Sequence, residues 1–192
     1  MTTTGLSLEA LIAQLRQEAG AAEGRGRGIP PVEKWNPEYC GVGGFDILAD
    51  GTWLHEGTRI TRPQLVRLFS TILRKDADGH TYLVTPGEKI RVNVADAPFL
   101  AIRADRTDAE TADQTIVFST NVGDVVTLGP EHPLRVTIDA ETREPRTYVH
   151  VRGRLEARIL RAPFYELVDW AEERAGVLGL MSQGVWFELG AP

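Results

Sequence analysis

Residues 58–69 read TRITRPQLVRLF, and residues 157–168 read ARILRAPFYELV. Laid side by side, Arg59 meets Arg158, Ile60 meets Ile159, Arg62 meets Arg161 and Leu68 meets Leu167. Each stretch has the grammar of a strand end, an arginine, a proline at a helix start, and then an apolar stripe at helical spacing. A proline is tolerated there because the first helical amide has no partner within the helix. Two copies of one strand-to-helix unit predict a duplicated α+β chain.

Around the first copy, FDILADGTWLHEG (45–57) alternates apolar and polar residues about Asp50-Gly51, which predicts a β-hairpin. The helix that follows carries Leu65, Leu68, Phe69, Ile72 and Leu73 on one face and is expected to stop near KDADG, with Gly79 as its left-handed cap. HTYLVTPGEKIRVNV predicts two strands about a Pro-Gly turn, and PFLAIRA another. The polar run at 104–114, ADRTDAETADQ, reads as a loop and a domain seam. TIVFSTNVGDVVTL and LRVTIDAETREPRTYVHVRGRLEARIL continue as strands. A second helix is expected near Ala162-Pro163, with Leu167, Val168 and Ala171 inward, before a last strand GVWFEL. At the start, Ser7 caps an expected helix with Leu8, Leu11, Ile12 and Leu15 on one side, and GAAEGRGRG (20–28) reads as a linker.

The expected organisation is therefore residues 1–28 as helix and linker, 29–104 as a first domain and 105–192 as a second. The two are similar small domains, each of antiparallel strands plus one helix. A chain of 192 residues with 42% hydrophobic and 25% charged residues can bury a core in each. The four tryptophans, Trp35, Trp53, Trp170 and Trp186, are read as core residues, at least three of them.

Composition also excludes function classes. A net charge of −6 argues against general nucleic-acid or anionic-membrane binding. Cys40 is alone, so no intramolecular disulfide or cysteine-based zinc site forms, and a reducing, cytoplasmic setting is expected. No apolar run is long enough to span a bilayer, and the first twenty residues lack the pattern of a signal peptide. The histidines, His55, His80, His132 and His150, offer no i, i+4 helical pair, so no metal site is expected. DADGH (76–80) lacks the remaining ligands of a calcium loop, and CGVGG lacks the spacing of a dinucleotide fingerprint, so no cofactor is implied. No nucleophile, base and oxyanion set assembles from the sequence.

What remains is charge patterning. Residues 143–161 hold Arg143, Arg146, Arg152, Arg154, Arg158 and Arg161 against only Glu144 and Glu156. Arg152, Arg154 and Arg158 share strand parity, together with Tyr148 and His150, and so are expected on one face. An arginine at a helix start is disfavoured by the macrodipole, so Arg62 and Arg161 need a partner. Either a carboxylate such as Glu56 or Glu156 supplies it, or an anion held jointly with the helix amides does.

DGTWLHEGTRITRPQLVRLF, YLVTPGEKIRV, DAPF, TNVGD, HPLRV and YVHVRGRLEARILRAPFYELV, in this order from Trp35 onward, resemble the bacterial domain-of-unknown-function family 1285. The resemblance implies two similar domains, the second loosely pleckstrin-homology-like, a ligand site between them and a role in signal transduction. The functional expectation is a non-catalytic module that binds a small anionic, nucleotide-like ligand in the interdomain groove. Its expected contacts are Lys89, Arg91, Asn121, His132, Arg135, Tyr148, Arg152 and Arg154, with Tyr148 or Trp53 stacking a ring. The alternatives are a protein–protein interaction adaptor, whose mark would be a broad exposed apolar patch, and an enzyme of unrecognised type. The latter's mark would be a perturbed Asp124 or His132 in a cleft.

Overall fold

The computed structural model describes Ala13, residues 29–140 and residues 142–190. The expected N-terminal helix and the 20–28 linker lie outside these, apart from Ala13, which is helical and exposed. The chain forms two compact units that change over between Ala95 and Asp96, with Ala49–Gly51 counted in the second. Among the described residues no helix is long and apolar enough to cross a membrane.

The first unit contains β1 (Tyr39–Ile47), β2 (Trp53–His55), β3 (Thr58–Arg59), α1 (Pro63–Thr71), β4 (Leu73–Lys75), β5 (Thr81–Val84) and β6 (Lys89–Val94). The sheet order is β3-β2-β1-β6-β5-β4. Every pairing is antiparallel except that of β1 with β6. The Asp50-Gly51 hairpin forms as expected and joins β1 to β2. Phe69 and Ile72 are fully buried, with Phe69 5.4 Å from the ring of Phe45 and 6.3 Å from that of Trp53.

α1 stops at Thr71, well short of Gly79. Ser70 and Thr71 turn their hydroxyls back onto the carbonyls of Arg67 and Leu68, a local alternative to continuing the helix. Leu73 and Arg74 instead enter β4, paired with Leu83 and Tyr82. Gly79 does take a positive φ of 83°, but in the β4–β5 turn. Strand pairing outweighed helical periodicity because Leu73 and Leu83 are buried together at 1% exposure each.

The second unit contains β7 (Phe99–Thr107), β8 (Thr115–Thr120), β9 (Val125–Thr127), β10 (Leu134–Ile138), β11 (Pro145–Arg152), β12 (Leu155–Ile159), α2 (Arg161–Trp170), β13 (Glu172–Arg174), β14 (Val177–Ser182) and β15 (Val185–Gly190). Six strands lie in the order β10-β11-β12-β7-β8-β9, and β13-β14-β15 form a separate meander. β7 runs on to Thr107 and pairs with β8 as far as Thr115, so the polar stretch after it is a hairpin connection inside this unit. The expected boundary at 104/105 is thereby corrected to 95/96.

The two six-stranded sheets have the same topology. Each is two three-stranded meanders joined by a parallel pairing of its first and last strands, β1 with β6 and β7 with β12. The helices, however, sit at different points of that scheme. α1 follows the third strand of its sheet, an edge strand, whereas α2 follows the sixth, a central one. The resemblance between residues 58–69 and 157–168 therefore joins places that are not equivalent in the two sheets. What they share is a local demand: a strand must end, and a helix must start without a capping side chain.

Of the tryptophans only Trp53 is buried; Trp35, Trp170 and Trp186 are half-buried. In α2, Leu167 is fully buried but Val168 is 37% exposed, so the inward stripe is narrower than expected. β13 and β14 have no counterpart in the expected elements. They come from EERAGVLGLMS, where Ala175 and Gly176 both take positive φ and close a tight hairpin.

Glu88, in the β5–β6 turn, is 5% exposed, and its Oε1 has no hydrogen-bond partner among the described residues. Burial pushes its carboxyl above the ordinary value of 4.5. A raised folded-state value gives stability that is fully present below that ordinary value and is lost as pH rises through the folded one. Glu88→Gln is therefore expected to raise the melting temperature at pH 7 and to leave it unchanged at pH 4. An equal shift at both pH values would show that the carboxyl charge is not the cause.

Candidate functional site

A cavity of about 260 Å³ opens at the head of α2, within the second unit. The end of the β10–β11 connection brings Glu144, the start of β11 brings Pro145, Arg146 and Thr147, and the end of β12 brings Arg158 and Ile159. The first turns of α2 complete it with Arg161, Phe164 and Tyr165. α2 begins there because Leu160 is extended and Pro163 stands in the first turn. Leu160 cannot cap the helix, so its first amides lack a side-chain partner.

Electrostatically the three arginines differ. Arg146 is ion-paired to Asp139, and Arg158 to Asp96 at 3.0 Å, with the two aspartate side chains 15% and 13% exposed. Arg161 faces Glu144 at 3.7 Å, and these side chains are 73% and 65% exposed. That contact is too long for a hydrogen bond and is solvated on both sides. Thr147 lines the same cavity at 2% exposure, and its hydroxyl has no hydrogen-bond partner among the described residues. Such a buried orphan is rare and calls for a cause.

The expected contacts fall into separate groups. Lys89 and Arg91 belong to β6 of the first unit. Lys89 is held by Asp76 at 3.0 Å and lies 4.5 Å over the Tyr82 ring, while Arg91 stands opposite Tyr82 in the ladder. Tyr82 itself donates to Asp78 at 2.6 Å, which pushes its hydroxyl up to about 12.

In the second unit Asn121 accepts the Leu100 N–H at 3.0 Å and so ties the β8–β9 turn to β7. His132 stacks on His150 at 5.6 Å, with its Nδ1 3.1 Å from the His150 carbonyl. Arg135, Tyr148 and Arg158 form one row across β10, β11 and β12. Arg135 donates twice to Glu156, which raises its own pKa, and lies 4.2 Å over the Tyr148 ring. Tyr148 is 5% exposed and donates to Asp96 at 2.7 Å; burial first, and this bond second, push its hydroxyl up. Arg152 pairs with Asp124 at 3.0 Å and covers the Phe99 ring.

Two expectations about charge are corrected here. Arg154 sits exposed in the Gly153–Arg154 turn, and the register shifts between His150 and Arg152, so Arg152, Arg154 and Arg158 do not share one strand face. The arginine-rich stretch is also not a bare positive strip, because Asp96, Asp124 and Asp139 arrive from outside it to meet Arg158, Arg152 and Arg146. Nor do Glu56 and Glu156 serve the helix-start arginines. Glu156 is taken by Arg135, Arg161 faces Glu144, and Arg62 has no ion pair among the described residues.

Neither Asp124 nor His132 lines the cavity. Arg146, Arg158 and Arg161 were visible in the arginine-rich stretch, whereas Thr147, Phe164 and Tyr165 carried no signal in the sequence. Among the described residues no group of His, Cys, Asp and Glu side chains is placed to hold a metal ion.

Comparison with known proteins follows the division into two units. Residues 30–97 match the profile described as domain of unknown function (DUF1285), N-terminal domain. Residues 98–189 match the one described as protein of unknown function (DUF1285), C-terminal domain. The crystal structure of a DUF1285 family protein from Silicibacter pomeroyi is similar with 42% identity and a TM-score of 0.82, over 92% of this chain and 94% of that one. A second, from Shewanella baltica, is similar with 27% identity and a TM-score of 0.52, over 67% of this chain and 93% of that one. No curated protein matches. With the matched segments running through both six-stranded sheets and through α1 and α2, the chain belongs to the bacterial DUF1285 family.

Proposed function

We propose that the chain is a non-catalytic module that binds a small organic anion, and that the anion is received at the head of α2 in the second unit. The observation that carries this reading is the convergence of Arg161, a loosely met guanidinium, with Arg146, Arg158 and the uncapped start of α2 on one cavity, whose wall also includes Thr147. A negative charge in the cavity would replace a weak, solvated ion pair with a direct one. The uncapped start of α2 adds to the attraction. Size narrows the ligand, since about 260 Å³ falls below the range that takes drug-sized molecules. A small acid suits it better than a nucleotide. Capture of such an acid would fit a sensory role in signal transduction.

The test is a thermal-shift and calorimetry panel of acetate, benzoate, inorganic phosphate and AMP against wild type, Arg161→Ala and Thr147→Val. At a hundredfold excess over Kd a true ligand stabilises the fold by about 2.7 kcal/mol. Arg161→Ala is expected to weaken binding roughly 10- to 100-fold, the worth of a charge-assisted hydrogen bond. The variant itself should fold normally, because Arg161 is exposed and opposed by the helix dipole. No stabilising anion, or equal binding by all three proteins, would remove the reading.

A further inference from the structure

Resting on that reading, we infer that the ligand is a compact monocarboxylic acid with an aromatic or apolar body, and that Glu144 is its built-in competitor. Charge stoichiometry sets the anion. Arg146 and Arg158 are already neutralised by Asp139 and Asp96, carboxylates that are themselves mostly buried and so stay in place. One cation, Arg161, remains loosely met, and one acid, Glu144, lines the cavity. A carboxylate that takes over from Glu144 exchanges one negative charge for another. A phosphate monoester at pH 7 brings close to two, one more than Arg161 balances.

The geometry of the wall fits the same class. A carboxylate has two oxygens on one plane, and the Arg161 guanidinium, met by Glu144 only at 3.7 Å, is a planar fork that can take both. Beside it Pro145, Ile159 and Phe164 supply apolar surface for the body of the acid. Glu144 sits where the β10–β11 connection closes, its carbonyl accepting the Asp139 N–H at 2.9 Å. Its side chain is 65% exposed, so water can take it up when a ligand arrives.

Calorimetry with sodium benzoate, phenyl phosphate and benzyl alcohol on wild type, Glu144→Gln and Arg161→Ala tests this. Benzoate is expected to bind wild type more tightly than phenyl phosphate does, and benzyl alcohol not at all. In Glu144→Gln benzoate should tighten roughly two- to five-fold, the range set by an exposed ion pair. In Arg161→Ala it should weaken roughly 10- to 100-fold, as expected for loss of a charge-assisted hydrogen bond. If phenyl phosphate binds better than benzoate but still needs Arg161, the carboxylate inference falls and the anion site stands. Should Glu144→Gln leave benzoate affinity unchanged, the competitor role falls. Absence of binding by all three probes removes the inference together with the site.

Discussion

Arg74→Ala is expected to lower the unfolding free energy by about 3–5 kcal/mol, the cost of removing one partner from a buried ionic network. Arg74 is 7% exposed, and its Nη1 donates to the carbonyls of Val32 and Trp35 at 2.8 and 2.7 Å. Nε and Nη2 donate to the two oxygens of Asp76 at 2.6 and 3.3 Å. One side chain thus fastens the 3-10 turn Val32–Lys34 to β4. Alanine would leave two carbonyls without this donor and Asp76 with Lys89 alone. For a chain of this size the melting temperature should fall by roughly 6–20 °C.

The same network predicts an acid response. Burial works to raise the Asp76 carboxyl, but the hydrogen bonds from Arg74 and Lys89 outweigh it and hold it below its ordinary value of 3.8. A depressed carboxyl contributes stability above the unfolded value, and that contribution is lost as pH falls through the folded one. Wild type should therefore lose stability on acidification below about pH 3.8 more steeply than the variant does. Urea denaturation at pH 7 and at pH 3 reads both effects. A loss under 1 kcal/mol at pH 7 would show that the side chain is not the fastening.

Ser182→Ala should cost about 2–4 kcal/mol, since two buried groups lose their partner at once. Ser182 is fully buried in β14. Its Oγ accepts the Ile116 N–H from β8 at 3.0 Å and donates to the Leu128 carbonyl at 2.7 Å. Gln114 works beside it, donating to the Met181 carbonyl at 2.7 Å and accepting the Gln183 N–H at 2.9 Å. These bonds attach the small β13-β14-β15 meander to the six-stranded sheet of the second unit. Hydrogen exchange gives a finer readout than the melting temperature. The Ile116 amide should lose protection, whereas amides of the first unit should keep theirs; uniform loss in both units would argue against a local attachment.

Much of this was written locally. Asp50-Gly51 announced its hairpin, TPGEK its turn, and the helix starts at Arg62-Pro63 and Arg161 were legible because proline and extended residues act within a few positions. Gly79 misled for a related reason: positive φ serves a helix cap and a hairpin turn equally well, and only Leu83, across the ladder from Leu73, decides between them. The small residues of EERAGVLGLMS concealed two strands, and their pairing became visible only with β15 alongside.

By itself the sequence determined the number and kind of most elements, the acidic balance of the chain and the cluster of arginines before α2. The tertiary structure alone decided the parallel pairings of β1 with β6 and β7 with β12, which join strands distant along the chain. It also brought Asp96, Asp124 and Asp139 to their arginines, which offset most of the apparent positive strip. What remains of that strip at the head of α2 is Arg161, on a cavity whose wall also includes Thr147. Local propensity depends on neighbours a few residues away, whereas charge compensation and cavities depend on which distant segments fold back together.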